Sequence, residues 1–347
     1  MMPIAQTFTA HAPGRVNLIG EHIDYNGGMV LPAALSIGLE VDLTPRGDDT
    51  VTVRADHYDE AAQRNLNEDA SGHWSDPALG AVRQVHAMGL LTGGADLSIR
   101  STIPEGSGLS SSAALIVAIL KAARAAAGSD MTDTEIAVAA RAVENGFMGV
   151  PCGIMDQMAV ALAAPGTAMA LNTRDLTHSI VDLPQTHAVV VVHSGLTRRL
   201  IDGRYAALKG ECDTAKAHFG TDDLCLIDPG DIARSDLAQP FRKRALHCAT
   251  EHRRVLDAIA ALQTGDVPAL GRAMNDSHIS MRDDFEMSLP AIDALVADAA
   301  ELGAIGARLT GGGFGGCIVA VVEKSREDAW LAALLDCHPG ARFIGAV

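Results

Sequence analysis

The stretch Ile103-Pro104-Glu105-Gly106-Ser107-Gly108-Leu109-Ser110-Ser111-Ser112-Ala113-Ala114 decides how the rest of the chain is read. Before it, Thr7 to Ala12, Val30 to Val41, Thr50 to Ala55 and Ala95 to Ser101 carry alternating or β-branched runs separated by Gly, Asp and Pro, the pattern of strands. After it comes Ala113 to Leu120, an unbroken apolar run that ends in an Ala-rich segment and Gly128, which predicts a buried helix starting at the serines. Glycines let a backbone approach a ligand closely, and a helix N-terminus offers free N–H groups and a positive dipole end. A Gly-x-Gly turn feeding three serines therefore suits an anion such as phosphate. A plainer reading, in which Ser110 only caps the helix, needs one hydroxyl rather than three. The stretch lacks both the Gly-Lys-[Ser/Thr] ending of a Walker loop and the third glycine of a dinucleotide fingerprint.

Further along, helices are predicted from about Thr132 to Gly146, opened by Thr132-Asp133-Thr134-Glu135, and over Ile154 to Leu162. Ala188 to His193 reads as a strand; Leu200 to Phe219, Pro240 to Leu262, Val267 to Ser280 and Leu289 to Leu302 read as helices; Gly303 to Glu323 reads as a last hairpin. Strands, then helices, then strands again fit an α+β architecture better than a parallel βαβ series. The chain has 347 residues, more than the roughly 250–300 at which a single core stops growing. Two domains are expected, 1–175 and 176–347.

Composition excludes several classes of function. Lys plus Arg number 27 against 43 Asp plus Glu, a net charge of −16, which leaves no basic footprint for nucleic acid or an anionic membrane. The six cysteines form no CxxC pair and read as reduced thiols. None of the 13 histidines forms HExxH or pairs with Cys at zinc spacing. No basic-then-apolar leader opens the chain, and Lys121, Arg124, Pro165 and Gly166 break its apolar stretches, so a soluble cytoplasmic protein is expected.

Three more segments carry chemistry. Ala12-Pro13-Gly14-Arg15-Val16-Asn17-Leu18-Ile19-Gly20-Glu21-His22-Ile23-Asp24-Tyr25-Asn26-Gly27-Gly28 offers a cation, two carboxylates, an imidazole, a phenol and two amides between glycines. That variety suits a polyol, since each sugar hydroxyl needs a donor and an acceptor; the alternative is a solvated loop. Glu144 to Gln157 runs from a helix end through Gly149-Val150-Pro151-Cys152-Gly153 to Asp156 at a helix start. Beside a phosphate loop such a carboxylate fits base or metal duty, with an ordinary N-cap as the alternative and a surface helix position for Glu144. Arg308 to Val319 puts five glycines in six positions before a strand, which suits close backbone packing or a flexible hairpin.

Together these segments resemble the GHMP small-molecule kinases and, within them, the galactokinase family. PGRVNLIGEHIDYNGG resembles the galactokinase signature, PEGSGLSSSAA the ATP-phosphate loop and RLTGGGFGGC the third glycine motif; VPCGIMDQ, MNDSHISMRDDFE and the segment from Arg204-Tyr205 to Glu211-Cys212 complete the series in order. The resemblance implies an N-terminal α+β domain and a ferredoxin-like C-terminal domain with nucleotide and sugar between them. It implies ATP-dependent phosphorylation of the anomeric hydroxyl of galactose, with Asp156 and Arg15 catalytic. Glu21, His22, Asp24, Gly153 and Tyr205 would contact sugar. Gly106, Ser107, Gly108, Leu109, Ser110, Ser111 and Ser112 would hold the nucleotide phosphates near Trp74, and Ser112 and Glu144 a magnesium ion. A monomer or weak homo-oligomer is expected. Ile23 stands where these kinases usually have Thr, Ala206-Ala207-Leu208-Lys209 where Asn and two Arg follow the tyrosine, and Pro77 where a Tyr lies near the tryptophan. Kinases for N-acetylgalactosamine, arabinose or galacturonate remain alternatives, as does a regulator that binds sugar and ATP without turnover.

Overall fold

The computed structural model describes residues 6–104, 106–196 and 202–347; Glu105 of the glycine-rich stretch, and Leu200 with Ile201 at the expected start of a helix, lie outside them. In chain order the elements are β1 (Phe8–Asn17), β2 (Met29–Val30), β3 (Pro32–Pro45), β4 (Thr50–Ala55), β5 (Ala62–Asn65), α1 (Asp76–Ala87), β6 (Ala95–Ser101), α2 (Ser111–Ala127), α3 (Asp133–Ala142) and α4 (Met155–Leu162). There follow β7 (Thr167–Asn172), β8 (His178–Asp182), β9 (His187–His193), α5 (Asp202–Phe219), α6 (Pro229–Arg234), α7 (Phe241–Thr264), α8 (Val267–Asp283), α9 (Pro290–Glu301), β10 (Gly306–Thr310), β11 (Cys317–Glu323), α10 (Glu327–Cys337) and β12 (Arg342–Ala346). The residues divide into two compact units, one from the spans 1–14, 37–104 and 110–162, the other from 15–36, 105–109 and 163–347.

In the first unit the strand order runs β3-β6-β4-β5. β3 and β6 are antiparallel from Leu39↔Ser101 to Pro45↔Ala95, whereas β4 and β6 are parallel, with α1 in the connection between them. Helix α1 interrupts a region read as strand-rich. Its start is Ser75-Asp76-Pro77, with proline in the first turn where it costs no hydrogen bond, and Ala78, Leu79, Ala81, Val82 and Val85 form its buried stripe. Helix α2 is buried at Ala113, Ala114 and Ile116 to Leu120, as the apolar run predicts. A full capping box opens α3, Thr132 and Glu135 each satisfying the other's backbone N–H. The helix read through Gly146 gives way instead to a π-helical turn, Val143–Phe147.

The second unit carries the antiparallel sheet β10-β11-β9-β12, with Cys317↔His193 to Glu323↔His187 joining β11 to β9. Val189 to Val192 are at most 2% exposed, so this strand is a continuous apolar run rather than an alternating one. The same unit holds the pairs β2–β7 and β7–β8. The hairpin β10–β11 is not the last element, because α10 and β12 follow it. The strand expected over Thr7 to Ala12 runs on as β1 to Asn17, and residues 12–17 are buried. None of the described helices is long and apolar enough to cross a membrane.

Candidate active site

In the first unit, Ser110 stands at the N-cap of α2 in the left-handed region, φ +62° and ψ +38°, and its side chain makes no capping bond. Its Oγ donates instead to Asp156 Oδ2 at 2.5 Å. A serine in that conformation is strained, and the strain aims its hydroxyl at a carboxylate rather than at its own helix. Ser111 is exposed and Ser112 half-buried in the first turn of α2, where the leading N–H groups have no partner within the helix. Gly106 and Gly108 both have positive φ, +67° and +76°, so the turn needs residues without a Cβ.

Asp156 lies in the first turn of α4. Glu144 comes from the π-helical turn, a distortion that recurs at functional sites because it re-aims side chains. Burial raises the Glu144 pKa and the negative charge of Asp156 raises it further; hydrogen bonds from Ser112, Gln157 and Cys152 oppose this but do not cancel it. Gln157 is wholly buried and donates through Nε2 to Glu144 Oε2. Cys152, whose N–H donates to Asn145 Oδ1 at 2.8 Å, holds the loop that carries Gly153, itself buried. Ser112, Glu144 and Asp156 form a set of oxygen donors, and the largest influences on Glu144 after burial are the like charge of Asp156 and neutral donors, which fits a small hard divalent ion. Elsewhere in this unit Trp74 stacks on Tyr58 with ring centroids 4.1 Å apart and planes at 10°. Nothing in the sequence around Tyr58 signals that partnership.

In the second unit, Arg15 grips the other side of the glycine-rich turn. Its backbone N–H donates to Leu109 O at 3.2 Å and its Nη1 to Gly108 O at 2.8 Å. Ser107 is buried, and its carbonyl accepts Cys317 Sγ–H at 3.3 Å, so the third glycine motif packs on the first.

The polar cluster of the signature segment is held down rather than solvated. Gly20 at φ +110° would place a Cβ 3.1 Å from Val30 Cα and from Val255 Cγ2, so only glycine fits that turn. His22, at φ +60°, is 5% exposed; its Nδ1 lies 2.6 Å from Tyr25 Oη, and its ring packs against Tyr205 at 5.0 Å and Phe285 at 4.7 Å. Asp24 is half-buried beside them in sequence. Ile23 is fully buried and packs against Gly28, so its departure from Thr falls in the interior of the turn.

Glu21 is 2% exposed and saturated by the chain itself. Its Oε2 accepts Arg308 Nη2 at 2.7 Å and Asn17 Nδ2 at 2.5 Å, and its Oε1 accepts Gly311 N at 2.7 Å and Thr310 Oγ1 at 3.2 Å. Burial still raises its pKa, with Arg308 pulling the other way. Below it Glu251 accepts Gly20 N at 3.0 Å and Ser277 Oγ at 2.6 Å. Burial pushes Glu251 up, but Arg254 and its other neighbours outweigh that and hold it at about 2. Sequence reading placed Arg308 in a glycine motif and gave it no task; its one signal is a cation in a strand whose five residues are all buried.

Comparison with known proteins follows the same map. A galactokinase galactose-binding signature matches residues 4–41, GHMP kinases N terminal domain matches 76–164, and GHMP kinases C terminal matches 258–337. The chain is 41% identical over 340 residues to a galactokinase of Roseiflexus sp. (strain RS-1), covering 95% of this chain and 87% of that one. A crystal structure of Lactococcus lactis galactokinase complexed with galactose superposes with a TM-score of 0.93 at 28% identity, covering 98% of this chain and 93% of that one. Methanococcus jannaschii mevalonate kinase, at 18% identity and a TM-score of 0.73, shares the fold over 100% of this chain and 99% of that one.

Proposed function

The chain belongs to the galactokinase family of GHMP kinases, and from that premise we propose that it transfers the γ-phosphoryl group of ATP to the anomeric hydroxyl of galactose. The anomeric oxygen forms a bond to the γ-phosphorus, the bond to the bridging oxygen of ADP breaks, and the hydroxyl proton leaves. The observation that carries this reading is the Ser110 to Asp156 hydrogen bond, because it joins a phosphate-type helix N-terminus to a proton-accepting carboxylate.

Asp156 takes up or orients the proton of the acceptor hydroxyl, work worth about 10²–10⁴ in rate for a well-placed base. Arg15 is the second catalytic residue, a cation that offsets negative charge developing during the transfer. The glycines and serines of residues 106–112 hold the nucleotide phosphates by backbone N–H groups and hydroxyls, and Trp74 serves the base. His22, Asp24, Gly153 and Tyr205 serve the sugar, whereas Glu21, expected to contact it, is buried with two donors of the chain on each oxygen and holds the segment that carries them. Ser112 and Glu144 would hold a magnesium ion, which would supply neutralisation of charge on the phosphates. The chain's own part is positioning and exclusion of alternatives, which is what phosphoryl transfer mostly asks. The buried place of Ile23 supports galactose, since a core side chain at that position changes packing rather than the set of polar groups offered to a hydroxyl.

The test is ADP release with magnesium and ATP over a panel of galactose, N-acetylgalactosamine, arabinose and galacturonate. Turnover with galactose above the others is expected. Turnover with none would defeat the kinase reading, and a preference for another sugar would defeat the substrate.

A further inference from the structure

We infer that Arg308 is a positioning residue for the sugar-binding segment, acting through the carboxylate of Glu21; this rests on the sugar kinase reading above. Arg308 is wholly buried, yet it touches three parts of the second unit at once. Its Nη2 donates to Glu21 Oε2 at 2.7 Å and to Met281 Sδ at 3.2 Å, and its Nη1 donates to Asn17 O at 3.4 Å. Glu251 Oε1 lies 3.9 Å from the same Nη2, and Arg254 Nε bonds Glu251 Oε2 at 2.8 Å. The result is a row of alternating charges, Arg254, Glu251, Arg308, Glu21, of which the last three are at most 2% exposed.

Both carboxylates of that row hold backbone. Glu251 takes the N–H of Gly20, and Glu21 takes the N–H of Gly311, so residues 20 and 21 of the signature are pinned between α7 and the third glycine motif. The next residue, His22, sits at a positive φ that a histidine does not choose on its own, with its ring against Tyr205. A side chain in such a conformation keeps its place only while the residues before it are fixed. Arg308 supplies the fixing charge, since an ionised Glu21 in that interior has no other cation at hydrogen-bond distance among the described residues. The other charged or titratable groups facing Glu21 are Glu251 and His247 of α7, His247 through Nε2 to Glu21 O at 3.1 Å; His278 of α8 lies beyond Arg308.

Without the guanidinium, burial and Glu251 would be opposed chiefly by the Gly311 N–H and would favour the protonated form of Glu21, which donates where Asn17 and Gly311 need an acceptor. The sugar constant should then become dependent on pH while the nucleotide constant does not. The experiment is steady-state kinetics of the full chain, wild type against Arg308→Met, Arg308→Lys, Glu21→Gln and the double variant Arg308→Met/Glu21→Gln, with thermal melts alongside.

For Arg308→Met we expect the galactose KM to rise by about tenfold or more at neutral pH and to recover as pH is raised, with the ATP KM within about threefold. The double variant should show no such recovery, because glutamine does not titrate. Arg308→Lys, which keeps the charge but loses the fork, should raise the galactose KM by only a few fold. An unchanged galactose KM, or equal rises for galactose and ATP without pH dependence, overturns the inference. If Arg308→Met does not melt cooperatively, Arg308→Lys decides, and a lysine variant with wild-type galactose KM overturns it. Wild-type protein that phosphorylates no sugar defeats the proposed function instead.

Discussion

Two glutamates, Glu21 buried and Glu144 half-buried, one in each unit, answer the same physical problem in opposite ways. Glu144 and Glu21 both have raised pKa values, and in both burial is the largest cause. Glu21 is compensated from within, by Arg308 and three further donors, so its charge is spent on holding the chain together. Glu144 is offered neutral donors, Ser112, Gln157 and Cys152, and sits beside the like charge of Asp156. Glu144, met by neutral donors and a like charge, is a carboxylate suited to a cation supplied from outside. The difference separates a site built for chemistry from one built for shape, although the two residue types are identical.

The largest effect that would break this contrast is at Asp156. Asp156→Ala should lower kcat by about 10²–10⁴ with an unchanged melting temperature, read by ADP release and calorimetry. Near-normal turnover in the folded variant would remove the first unit's carboxylates from the chemistry.

The second concerns the interior around Glu21, where His247 is fully buried. Its Nε2 lies 3.1 Å from Glu21 O, where it donates, and its Nδ1 lies 3.0 Å from Ser280 Oγ, which donates to Asp284 Oδ2 at 2.9 Å. Burial lowers its pKa from 6.5 to about 4. Between those values the unfolded chain binds a proton that the folded chain refuses, so stability falls as pH drops from about 6.5 to 4. The slope from this one group approaches about 1.4 kcal/mol per pH unit, or roughly 3 kcal/mol over the interval. Denaturant melts of wild type and His247→Gln across that range check it: the variant should lose about one proton's worth of slope, and parallel curves would refute the argument.

The smallest is at Glu144. Glu144→Gln keeps the shape and the bonds to neighbours but removes the charge, and should weaken the magnesium dependence of activity by about 10–100-fold, with turnover recovering at high metal. A magnesium titration that matches wild type would show that Glu144 resembles Glu21 after all, a group occupied by its own fold.

Much of this was open to a reader of the sequence. The apolar run after the serines, the capping box at Thr132 and the β-branched run before His193 each declare their element through short-range rules, and α2, α3 and β9 follow them. Helix α1 was readable from Ser75-Asp76-Pro77 and was hidden by the strands around it. The strands β5, β7, β8 and β12 are short, and β8 is mostly exposed, so hydrophobic alternation is weak there. The π-helical turn at Glu144 has no local signature, since it is imposed by packing against α1, where Gly80 gives Phe147 and Val143 room.

What the sequence by itself determined is the set of groups and the backbone that presents them: glycines where φ must be positive, serines at the head of a buried helix, and the carboxylates, all of them consequences of residue chemistry within a few positions. What only the tertiary structure decided is which carboxylate is answered and which is left open. Glu21 meets its guanidinium from a residue 287 positions away, and Ser110 turns its hydroxyl from its own helix to a carboxylate 46 positions on. Charge compensation depends on distances of a few ångströms, and sequence separation carries no information about those.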